Sequence, residues 1–157
     1  PAAPRVNWKR RRRRKFLTAD YADSADMMVE IIHKELSGKI INAAMHVLNQ
    51  LKPGLDEKIY EKSLTIELRA RGHTVEQQKK FPVYYRDIEV GTLIPDMIVD
   101  DLIIVDPKVV VSFNENHIAQ MTGYLAISNL QLAMLLNFKY SKLGWKRVVR
   151  TGSAPSA

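Results

Sequence analysis

A chain of 157 residues with 46% hydrophobic content holds one domain with a real core and is short for two. It contains no cysteine, which excludes a disulfide scaffold, thiolate zinc sites and a cysteine nucleophile. The formal net charge of +7 sits in one place: Lys9 to Lys15 is a run of seven basic residues, and removing it leaves the remainder neutral.

No apolar stretch approaches the roughly 18 residues a membrane span needs, and the basic N-terminal region lacks the apolar centre of a secretory signal. The expectation is an intracellular protein, cytoplasmic or nucleoid-associated, with no membrane partner. Residues 1–33 read as a basic, flexible extension, 34–150 as the folded domain, and 151–157 as a disordered tail. Within the extension, Lys9, Arg10, Arg11, Arg12, Arg13, Arg14 and Lys15 repel one another and suit counterion-releasing contact with phosphates. A localisation signal, an acidic membrane surface and a solubilising tail are rival uses of such a run, and nucleic acid is preferred over them.

The first helix is expected from Ser37 to Leu51, because Ile40, Ala43, Ala44, Val47, Leu48 and Leu51 make one stripe at spacings of three and four. Ser37 would cap it and Pro53-Gly54 would end it. His46 lies off the stripe. A second helix should run from near Asp56 to Gly72, with Glu57, Tyr60, Glu61 and Leu64 on one side. Taken alone, Asp56 and Glu57 are acids that compensate the dipole of a first turn. Phe81 to Arg86 reads as a strand, Arg86-Asp87 as a turn, and Ile88 to Ile94 as a lead into Pro95-Asp96. Pro95 there points to an edge, a bulge or a strand start.

Met97 to Val99 and Leu102 to Val105 read as two short strands joined at Asp100-Asp101. The second is expected to continue through Val109, Val110 and Val111 as a strand buried on both faces. Asp106 and Lys108, two apart, then project from the same face. With an odd loop centred on Asp101, Val99 pairs with Ile103 and Asp96 faces Asp106, their Cβ atoms roughly 5 Å apart. A two-residue loop would send Asp106 to the other face. Two carboxylates that close need a cation between them or a proton on one. Two acids and an amine at one point are what a metal-assisted phosphodiester hydrolase uses: Mg²⁺ takes one or two carboxylates, its bound water becomes acidic, and the lysine orients that water or meets developing charge. By spacing alone, a hairpin with turn-forming aspartates and a surface lysine stands level with this reading. Pro107 inside the strand would delete a ladder hydrogen bond.

A third helix, Asn114 to Ile127, turns Ile118, Met121, Tyr124 and Leu125 inward and makes Gln120 and Tyr124 neighbours. Strands follow at Leu130 to Phe138 and Lys146 to Val149. This order of elements gives an α/β domain with a mixed central β-sheet flanked by helices.

Pro95-Asp96, followed ten residues later by Asp106-Pro107-Lys108, resembles the signature of the PD-(D/E)XK nuclease superfamily. From Leu36 to Val149 the chain resembles that superfamily's GxxExxY branch. The namesake motif stands as Gly54-Leu55-Asp56-Glu57-Lys58-Ile59-Tyr60, His117, Gln120 and Tyr124 match a His-x-x-Gln-x-x-x-Tyr helix, and Leu135-Leu136-Asn137-Phe138 matches a late strand. The resemblance implies a restriction-endonuclease-like core and a nuclease using Mg²⁺ or Mn²⁺. Asp96, Asp106 and Glu57 would hold the metal, with Glu57 alternatively a partner for Lys108. Lys108 would position the attacking water, and Gln120 the phosphate or Lys108. Tyr60, His117 and Tyr124 would support them, and His46 would border the site. The implied partner is nucleic acid, DNA ahead of RNA, and a homodimer is compatible. The departure is Pro107, where the family has an apolar residue such as leucine. It either bends the strand and re-aims Asp106 or leaves a decayed site, in which case the chain is an inactive nucleic-acid-binding or assembly module of the same fold.

Overall fold

The computed structural model describes residues 32–150. Lys9 to Lys15, the rest of the 1–31 segment and the tail 151–157 lie outside the described residues.

Helix α1 (Lys34–Leu51) begins three residues before Ser37, so Ser37 is not its cap. Lys34, Glu35 and Leu36 are good helix formers, and His33 in the left-handed region takes the N-cap position. Ser37 is buried within the first turns, where its hydroxyl donates to the Lys34 carbonyl and accepts from Arg147. The stripe from Ile40 to Leu48 is buried as its spacing requires, while Leu51 lies exposed at the helix end. Helix α2 (Glu57–Ala70) follows the N-cap residue Asp56 and stops before Gly72, whose φ of 91° needs a residue without a Cβ.

Among the described residues five strands form the central sheet in the order β1-β4-β5-β6-β7: β1 (Val75–Gln77), β4 (Met97–Val99), β5 (Ile103–Lys108), β6 (Leu132–Asn137) and β7 (Gly144–Val149). Only β5 and β6 run parallel, joined across one face by helix α3 (Glu115–Ser128). The short, mostly polar β1 carries no sequence period. Strands β2 (Phe81–Tyr85) and β3 (Ile88–Leu93) make a separate two-stranded sheet, turned by Arg86 and Asp87 at positive φ.

Strand β5 ends at Lys108, so Val109 to Val111 do not extend it, and Val111 is exposed. The side chain of Asn137 replaces the ladder there, donating to the Val110 carbonyl at 2.7 Å and accepting the Val110 N–H at 3.2 Å. Ile103 to Pro107 of β5 are nevertheless buried on both faces as expected, and so is every residue of its parallel neighbour β6. Ile98, Ile104, Ala133 and Leu135 pack against Met121 and Leu125 of α3. Their strand neighbours Met97, Val99, Ile103, Val105 and Met134 fill the opposite face, on the side of α1 and α2. Among the described residues no helix is long and apolar enough to cross a membrane.

Candidate active site

Asp100, Asp101 and Leu102 form a three-residue loop, with Val99 paired to Ile103. Asp100 and Asp101 both adopt positive φ, 51° and 57°, which aspartate tolerates. The loop is fastened to the end of α2. Asp100 N–H donates to the Thr74 carbonyl, Asp100 Oδ1 accepts the Thr74 N–H at 2.8 Å, and Oδ2 lies 2.8 Å from His73 Nδ1. Partial burial alone would raise the Asp100 carboxyl, but the hydrogen bonds from His73 and Thr74 outweigh it and hold it below its ordinary range.

This register continues past the last pair, Met97 with Val105, and sets Asp96 across from Asp106. Asp96 precedes Ile98 by two residues and Asp106 follows Ile104 by two, so both face the α3 side of the sheet. They share a side-chain hydrogen bond. Asp106 is only 3% exposed, and its Oδ1, without a hydrogen-bond partner in the protein, has Lys108 Nζ at 3.4 Å as an ion-pair contact. Burial, the charge of Asp106 and the shared hydrogen bond push the Asp96 carboxyl up to about 6, against the pull of Lys108 and Lys58. Burial also pushes Asp106 up, opposed by Lys108 and by the bond from Asp96. The pair therefore holds one proton more tightly than an isolated carboxyl does.

Pro107 does not break the ladder. The Lys108 carbonyl accepts the Phe138 N–H, so the backbone groups of residue 108 face β6 and those of residue 107 face β4. Strand β4 has ended there, and the same register puts Pro95 across from Pro107. Two residues lacking an N–H meet where no ladder bond is required, while β5 stays in register with β6 through Lys108.

Glu57, at the start of α2, turns its Oε1 to the Val109 N–H at 3.2 Å, occupying the edge that β4 vacates. Its charge still reaches Asp106. Among the described residues, however, no three His, Cys, Asp or Glu side chains stand together as metal ligands, so Glu57 is near the aspartates without joining them. Gln120 donates to the Tyr124 hydroxyl at 3.0 Å. Burial and then the charges of Asp106 and Asp96 push the Tyr124 phenol up, so it lies within electrostatic reach of the pair. Tyr60 is fully buried, stacks on Phe138 with centroids 4.8 Å apart, donates to the Lys52 carbonyl and accepts from the Leu55 N–H. It pins the turn that aims α2. His117 closes the N-terminal capping box of α3 with Asn114. His46 is exposed in a shallow groove with Ser63, Ile66 and Glu67 rather than beside the aspartates.

Two contributors escaped the sequence reading. Lys58 pairs with the buried Glu61 at 3.2 Å and its charge reaches Asp96. Asn137 ties off the ends of β5 and β6 just beyond Lys108. An asparagine in the run Leu-Leu-Asn-Phe is the visible clue to the second; an exposed lysine offers none for the first.

A hard divalent cation fits the two aspartates. Asp106 Oδ1 is a buried oxygen lacking a hydrogen bond, the facing carboxylates repel, and oxygen donors of this kind suit Mg²⁺, which retains waters for its other positions. A family model described as the PD-(D/E)XK nuclease superfamily matches residues 34–148. No curated protein and no solved structure matches the chain.

Proposed function

The chain belongs to the PD-(D/E)XK nuclease superfamily, and on that premise we propose that it is an active, Mg²⁺-dependent nuclease rather than an inert relative. The observation that carries the reading is the buried Asp106 Oδ1 on the side of Asp96, which lacks a hydrogen bond and has the Lys108 ammonium as an ion-pair contact. Asp96 and Asp106 would hold Mg²⁺, with Mn²⁺ as a substitute, and Glu57 would tune their charge from the Val109 edge. The ion, when bound, supplies an acidified water and neutralises charge on the phosphate.

Lys108 then carries the remaining positive charge at the carboxylate pair, where it orients the attacking water and meets charge that develops on the phosphoryl oxygens. Gln120 and Tyr124 act together, the phenol held by the amide so that both donors face the substrate phosphate. Asp96 has to lose its proton for the pair to receive a cation, so activity rises with pH through the region near 6. Pro107, with no ladder bond to forfeit, is compatible with this work. The motif Gly54, Glu57, Tyr60 supports membership of the GxxExxY branch, since Glu57 reaches the Val109 N–H beyond β5 and Tyr60 stacks on Phe138 beyond β6. Lys9 to Lys15 would add affinity for the polymer without sequence choice. DNA is the first polymer to try, and such work belongs inside the cell, in the cytoplasm or at the nucleoid.

The test uses purified full chain with labelled single- and double-stranded DNA and RNA, with and without Mg²⁺ or Mn²⁺, beside Asp96→Ala. Metal-dependent cleavage that disappears in the variant is the expected result. Salt-sensitive binding with no turnover under any metal would make the protein a binding module instead.

A further inference from the structure

The β2–β3 hairpin is not used by the chemistry above. Its base is anchored: Phe81 pairs with Leu93 and packs on the cluster containing Met121 and Leu125, where Tyr124 also packs. Asp96 follows Leu93 by three residues, a reach of at most about 10 Å. The arm therefore rises from the rim of the site. Its outer half, by contrast, presents uncovered apolar side chains among the exposed charges of Arg86, Asp87 and Glu89: Tyr84 is 61% exposed, Tyr85 65%, Ile88 67% and Val90 62%. Tyr85 pairs with Ile88 and continues the face of Phe81 and Val83; Tyr84 stands on the other face, and a bulge leaves Val90 without an opposite residue. Arg86 lies over the Tyr85 ring at 5.7 Å, and Lys79 lies over the Phe81 ring at 5.6 Å.

Such a surface, on which Glu89 stands opposite Tyr84 while Arg86 and Lys79 lie over the rings of Tyr85 and Phe81, suits a partner with flat apolar faces. A second copy of the chain fits poorly. A two-fold contact uses one self-complementary patch, whereas these side chains stand on both faces. Their exposed area is also on the order of 500 Å², short of the roughly 800 Å² per partner of a stable interface. The closed stack of a duplex fits no better, because it offers phosphates and groove edges and conceals the base faces. Unpaired bases supply those faces, and base–aromatic stacking with cationic neighbours is how single strands are held.

We propose that the β2–β3 hairpin is a nucleobase-binding arm, and that the polymer delivered to Asp96 and Asp106 is single-stranded. The proposal rests on the nuclease reading and deepens it. The experiment measures binding of a labelled single strand and its duplex by the full chain carrying Asp96→Asn, which binds without cutting. The double variant Tyr84→Ala/Tyr85→Ala is added to that background, with Tyr84→Phe/Tyr85→Phe as the conservative control. Loss of at least about 10-fold in single-strand affinity, with under about 3-fold for the duplex and recovery by phenylalanine, is expected. Equal losses on both polymers, no loss, or a change of oligomeric state by light scattering would overturn it. If the unmodified chain cleaves but the tyrosine variants bind normally, only the arm fails. If the unmodified chain neither binds nor cleaves any polymer, the nuclease reading fails and takes the arm with it.

Discussion

Replacing Asp96 by asparagine tests the electrostatics of the site independently of catalysis. In the folded protein the carboxyl of Asp96 is pushed from 3.8 up to about 6, first by burial and then by Asp106. That shift of about two units corresponds to about 3 kcal/mol, and water at this half-buried group reduces it to about 1–2 kcal/mol. The protonated Asp96 that donates to Asp106 is the favourable form. Its stabilisation is complete below about pH 4, the unfolded value, and is lost as pH rises through about 6. Asparagine keeps the donor at every pH and removes the repelling charge. Asp96→Asn is therefore expected to be inactive yet more stable by about 1–2 kcal/mol at about pH 8, raising Tm by roughly 3–8 °C. The gain shrinks by about pH 5 and vanishes near pH 4. Thermal melts of the two proteins without metal, at several pH values, measure it. An unchanged Tm at about pH 8, or a gain that does not vary with pH, would show that the two aspartates do not oppose each other.

Lys108→Met leaves the buried Asp106 without its cation and is expected to lower the cleavage rate by about 100-fold or more, with loss of stability growing as pH rises; single-turnover assays and melts read the two effects. Pro107→Leu should fold with stability within about 1 kcal/mol of the parent and cleave at least as well, because position 107 faces an edge with no ladder to complete. A several-fold loss of cleavage there would mean that the proline itself aims Asp106. Asp100→Ala removes the bonds to His73 and Thr74 and should cost about 2–3 kcal/mol by denaturant titration, while cleavage well below the melting temperature survives. Cleavage lost in a folded Asp100→Ala protein would show that the latch, and not the loop length alone, holds the register.

Much of the architecture is legible in short range. Helices announce themselves through the stripe from Ile40 to Leu48 and through Gly72 at positive φ. The turn at Asp100-Asp101 is equally local, since aspartates accept left-handed backbone, although the sequence allows both a two- and a three-residue loop there. These properties depend on neighbours within a few positions, where periodicity and turn chemistry act. What Ser37 does is not of this kind: its residue type suggests a cap, and its actual partner, Arg147, lies 110 positions away.

The same distinction decides the site. A period of two is a local fact, so Asp106 and Lys108 share a strand face on the sequence alone, whereas the loop length, and with it the side of Asp96, stays open there. The folded chain settles the rest: the loop has three residues, the face is covered by α3, β4 begins only at Met97 and so leaves Pro107 no bond to lose, and Glu57 turns to the Val109 N–H. It also separated the β2–β3 hairpin from the central sheet and left its tip bare. The physical reason is that hydrogen-bond demand and desolvation at a residue depend on where a neighbouring element ends, and that neighbour is supplied by distant parts of the chain.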